Sequence, residues 1–109
     1  MAGGGRIGQL RANAPWLVFF AHLALEKTLK ALVCRATRDL APRNHALLRL
    51  AERTGLTFSE EQSAFLARFD RYQIEGRYPD LLPPAPDIEV ANQELQQSKE
   101  MFEWLRRQL

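Results

Sequence analysis

The chain has 109 residues, 46% of them apolar, which makes it one globular domain with a single core. A formal charge of +2 and a pI near 9 exclude a dedicated nucleic-acid arm, whose cation density is far higher. The one cysteine, Cys34, excludes an intrachain disulfide and a multi-cysteine zinc site, and its apolar helical setting reads as a plain buried thiol.

No stretch alternates with a period of two, and the periodicity is helical throughout, which predicts an all-α, up-and-down four-helix bundle. Residues 1–13 include three consecutive glycines and are expected to be loose, so the bundle is assigned to residues 14–109. Asn13 is placed as the cap of a first helix, "APWLVFFAHLALEKTLKALVCRAT", with Pro15 in its first turn. Leu25, Leu29 and Leu32 mark one side of it and Trp16, Phe20 and Leu23 another, so it is expected to be the central helix. Its most apolar run, Ala14 to Leu25, is shorter than the ~20 residues a bilayer requires, and the N-terminus has no secretory-signal core. A cytoplasmic protein is expected.

Pro42 ends a bend, and Asn44 is positioned to cap a short second helix, His45 to Thr54, with Gly55 as a left-handed terminator. Ser59 and Gln62 form a capping-box signature for a third helix whose inward stripe is Phe65, Leu66, Phe69 and Tyr72, closing at Gly76. "RYPDLLPPAPD" holds four of the six prolines and predicts a stiff extended connection. Asp87 is placed as the cap of the last helix, 88–109, with a seam of Ala91, Leu95, Ser98, Phe102, Leu105 and Leu109. Trp104 lies off that seam and suggests a partner surface.

Twelve of the fifteen cations are arginine, whose planar fork suits phosphate or carboxylate, although a GC-rich genome yields the same bias. Three groups of residues carry candidate chemistry. Glu26 and Lys30, spaced i,i+4 in the most apolar helix, form either an edge ion pair or, with Lys27, a cation site for phosphate. Arg38 and His45 flank the Pro42 bend with Arg43 between them. Metal-free RNA cleavage needs a proton-transfer group and a phosphate clamp, and His45 and Arg38 are of those types; the bend alone also explains both. Arg77 and Tyr78 either grip a phosphate or base, or satisfy the last carbonyls of the third helix. His22, on an apolar face, reads as a satisfied core residue. With His22 and His45 as the only histidines, no metal site is indicated, and no cofactor motif is present.

"HLALEKTLKALV", "APRNHALLRL", "YQIEGRYPD" and the terminal "EMFEWLRRQL" together resemble, in order and spacing, the helices and the Arg-Tyr-Pro-Asp element of HEPN domains, over roughly residues 16 to 109. The resemblance implies a helical bundle, commonly a homodimer, often encoded beside a minimal nucleotidyltransferase as a toxin–antitoxin pair. Many HEPN members are endoribonucleases with an Arg-x4-6-His motif, a wording that Arg38-Asp39 and His45 satisfy; others bind nucleotides or a partner without catalysis. The family usually has a further helix ahead of the Glu-Lys-Lys helix, and here that place holds only the glycine-rich segment. The resemblance thus leaves two functions open, a nucleotide- or RNA-binding toxin-like module with ribonuclease activity and a non-catalytic adaptor. The uncovered face of Trp16, Phe19 and Phe20 points to a dimer under either.

Overall fold

A computed structural model describes residues 3–40, 43–73 and 86–109. Four α-helices follow in order: α1 (Gly3–Thr37), α2 (Leu47–Glu52), α3 (Glu60–Phe69), which runs on into a 3₁₀ turn (Asp70–Tyr72), and α4 (Ile88–Gln108). No strand occurs among the described residues. The fold is all-α, as the periodicity requires.

Side-chain contacts fix the helix directions. Arg35 near the end of α1 donates to the Gln108 carbonyl at the end of α4, so these two helices run the same way. Phe58 before α3 meets Trp104 late in α4, while Arg68 late in α3 reaches Glu94 early in α4, so α3 runs against them. The bundle is therefore three up-and-down rods with α2, only six residues long, as a strut between α1 and α3. Its core joins Val18, Phe19, Leu25, Leu29 and Leu32 of α1 to Leu47 and Leu50 of α2, Phe65, Leu66 and Phe69 of α3, and Ala91, Met101 and Leu105 of α4. Tyr72 meets Phe19 and Phe69 edge to face in this core, with ring centroids 5.6 and 5.1 Å away.

Several local expectations hold. Ser59 and Gln62 close a reciprocal capping box, and Gly55 has φ +78°, a left-handed conformation that suits glycine. Phe65, Leu66, Phe69 and Tyr72 are all buried. Others are corrected. The first helix does not start at Asn13: it runs from Gly3 as one 35-residue rod, so the boundary drawn after residue 13 falls inside it. Extending an existing helix adds a hydrogen bond per residue without a new nucleus, which offsets the cost of about 0.5–1 kcal/mol that each glycine brings. Asp87 stands at the start of α4 but its side chain makes no capping bond. Trp104 is not a free surface aromatic; it packs edge-on against Phe58, with centroids 5.2 Å apart. Leu109, assigned to the seam, is exposed, and Met101 is buried in its stead. The third helix ends at Phe69, ahead of Gly76, which with the proline-rich connection lies outside the described residues.

Tyr72 Oη and Glu94 Oε2 are buried without a hydrogen-bond partner among the described residues. Burial pushes the Tyr72 phenol above its ordinary range and Glu94 adds to this, with Arg71 and Arg68 opposing. The native state thus favours the neutral phenol. Above about pH 10 the unfolded chain ionises first, so this contribution is present below that pH and is lost as pH rises through the native value. Tyr72→Phe removes an unpaired hydroxyl at nearly constant shape. Urea unfolding at pH 7 should show it unchanged or up to ~1 kcal/mol more stable, with a weaker alkaline loss than wild type.

Candidate functional site

α1 carries His22, Glu26 and Lys30 at successive four-residue steps, which stack on one face of a helix. That face turns toward α2 and the 3₁₀ turn, and Glu26 is wholly shielded from water. A buried carboxylate needs counter-charge and hydrogen bonds, because an uncompensated one costs several kcal/mol. Lys30 Nζ lies 3.0 Å from Glu26 Oε2, and His45 Nδ1 lies 3.0 Å from the same oxygen. Lys30 is 14% exposed and His45 30%, so both reach from the interior toward the rim.

The cluster continues inward. His22, buried as expected of a core residue, has Nε2 3.0 Å from Asp70 Oδ1 and Nδ1 3.9 Å from Glu26 Oε1. Asp70 in turn accepts the Leu47 amide on Oδ1 at 2.9 Å and on Oδ2 at 3.2 Å. Leu47 is the first residue of α2, so a carboxylate 23 residues further along the chain caps that helix. Asn44, expected as the cap, instead accepts the Ala46 amide at 2.8 Å in a local turn, which shortens α2 from the expected His45–Thr54 to Leu47–Glu52. Asp70 escaped the sequence reading because its partners lie far away in the chain. The one available hint is an acidic residue directly after the buried stripe of α3.

The other candidate residues lie apart. Arg38 closes α1: its amide donates to the Cys34 carbonyl at 2.7 Å, its φ is +56°, and its side chain is exposed. It follows the last residue of α1, Thr37, eight residues after Lys30. Its guanidinium makes no hydrogen bond or ion pair among the described residues, so one chain does not pair Arg38 with His45. Lys27, on α1, and Arg43, after the bend, are both exposed. Arg77 and Tyr78 lie outside the described residues. Cys34 is a free, half-buried thiol. No group of His, Cys, Asp and Glu among the described residues has metal-site geometry, and no described helix is long and apolar enough to cross a membrane.

Of the three α1 aromatics expected to face water, Phe19 is buried, while Trp16 is 51% and Phe20 62% exposed with Leu17 beside them. This leaves an apolar face on α1 away from the polar cluster.

The chain is thus an all-α bundle with a carboxylate–imidazole–ammonium cluster beneath the N-terminus of a short second helix. The HEPN domain model matches residues 11–108, nearly the whole chain, and the chain belongs to the HEPN family. No curated protein and no solved structure matches it.

Two substitutions separate the distant contacts from the local ones. Asp70→Ala strands the Leu47 amide and the buried His22 together and should cost about 2–3 kcal/mol, whereas Asn44→Ala should cost ~1 kcal/mol or less. Arg38→Gly relieves a left-handed non-glycine residue and should stabilise the chain by ~1 kcal/mol. Equilibrium urea titrations of the three variants measure both claims.

Proposed function

We propose that this HEPN domain binds the phosphate of a nucleotide or RNA at the rim formed by Lys30 and His45. The observation that carries the reading is their common anchor: both are held on one oxygen of a fully buried carboxylate, Glu26, while remaining partly open to solvent. Groups fixed from within the core lose little freedom when an anion arrives. Exposed Lys27 and Arg43 add charge nearby. Arg77 and Tyr78 of the Arg-Tyr-Pro-Asp element, outside the described residues, are kept as further proposed nucleotide contacts on the family resemblance alone.

In the catalytic version, His45 takes the proton from a ribose 2′-hydroxyl as its oxygen attacks phosphorus. The 5′-oxygen leaves and picks up a proton, and the other product is a 2′,3′-cyclic phosphate. Arg38 neutralises the crowded phosphorus centre. Arg38 and His45 share no bond within one chain's described residues, so in this version the clamp for one His45 is assigned to the Arg38 of a second copy. The open Trp16, Leu17 and Phe20 face supports a homodimer. The family's pairing with a minimal nucleotidyltransferase makes such an enzyme the proposed partner and a toxin-like role the proposed biology. That same exposed face also favours the second reading, a non-catalytic adaptor that docks a partner through α1.

Cleavage of a mixed-sequence RNA separates the versions. Wild type should cut without metal, and His45→Ala and Arg38→Ala should each lose at least ~100-fold, the scale of general acid–base catalysis. If two copies build each site, a 1:1 mixture of the two inactive variants should regain roughly a quarter of wild-type activity, because half the dimers are mixed and each has one intact site. Equal cleavage by all three, or none by a purified wild-type dimer, removes the nuclease and leaves binding. Failure of wild type to bind either nucleotide or RNA leaves the adaptor.

A further inference from the structure

Which ring nitrogen of His45 can meet an anion follows from the partners of Glu26. Lys30 Nζ has only protons to offer, and at 3.0 Å it donates to Glu26 Oε2. A carboxylate held against an ammonium is ionised and acts only as an acceptor. His45 Nδ1, 3.0 Å from that oxygen, must therefore be the donor, so the proton sits on Nδ1. The second histidine obeys the same logic with the opposite result. Both oxygens of Asp70 accept the Leu47 amide, and His22 Nε2, 3.0 Å from Oδ1, donates to it.

We propose that Glu26 is the positioning residue of the phosphate site, locking His45 in its Nδ1–H form so that every other contact of the ring, with protein or ligand, goes through Nε2. Asp70 locks His22 in the mirror form, with the proton on Nε2, which assigns that ring to the fold. The plane of His45 is thus set by α1 from inside the core. An approaching phosphate oxygen meets Nε2–H of the charged ring, and an approaching hydroxyl proton meets the Nε2 lone pair of the neutral one. Glu26 itself touches no ligand. The inference rests on the proposed reading of this rim as a phosphate site.

With two histidines in the chain, four ring-nitrogen signals report on it directly. Long-range proton–nitrogen spectra of the ¹⁵N-labelled full chain near pH 8.5, about two units above the ordinary histidine range, should place His45 Nδ1 and His22 Nε2 at protonated shifts. Titration with AMP should move His45 Nε2 and leave its Nδ1 proton in place. Glu26→Gln, with its fold checked by backbone amide spectra, should mix the His45 tautomers and weaken AMP binding about tenfold, the lower end for lost orienting partners. An unprotonated His45 Nδ1 in wild type overturns the proposal, as does Glu26→Gln that binds AMP like wild type. If Glu26→Gln does not fold, the wild-type tautomer decides. A wild-type chain with the stated tautomers and no affinity for AMP or RNA overturns the phosphate site and leaves the lock as a device of the fold.

Discussion

A carboxylate with no access to water, Glu26, sits in the middle of the longest helix, and the polar half of the structure is arranged around neutralising it. The Coulomb attraction of Lys30 one turn away and the hydrogen bond from His45 offset the desolvation of that charge. Each alone is an ordinary contact. Together they tie His45, ahead of α2, to the middle of α1. Leu47 and Leu50 of α2 share one buried core with Leu25 and Leu29 of α1.

A six-residue helix has too few internal hydrogen bonds to stand alone, so α2 exists only because its surroundings hold both its face and its end. Its first amide is accepted by Asp70, and Asp70 is itself fixed by His22 one turn before Glu26. The polar layer thus runs from Lys30 through Glu26 and His45 on one side and His22, Asp70 and the start of α2 on the other. It ties three elements that are distant in sequence. Such a layer is exacting: every member needs its partner, and that need sets one register among α1, α2 and the 3₁₀ turn.

The same economy explains where the candidate chemistry lies. His45 and Lys30 are presented at the rim because their other ends are anchored inside. Arg38 belongs to a different structural job, ending α1 in a left-handed turn, and its exposed side chain is free of the cluster's geometry. The apolar face of Trp16, Leu17 and Phe20 lies on the opposite character of the same helix. α1 therefore presents a polar anchor toward α2 and an apolar strip toward its surroundings.

The helical class, the capping box at Ser59, the turn at Gly55 and the buried stripe of α3 were legible in the sequence alone, because each depends on residues within a turn or two of one another. The Glu26–Lys30 pair was legible for the same reason. The HEPN family was readable from short motifs in order. What only the tertiary structure decided are the contacts between segments far apart in the chain: His45 on Glu26, His22 on Asp70, and Asp70 as the cap of α2 in place of Asn44. It also decided that Phe19 turns inward while Phe20 does not, and that Trp104 faces Phe58. Local spacing encodes which face of a helix is apolar. Which side chain from elsewhere satisfies a buried charge is set by how whole helices cross, and no window of sequence contains that.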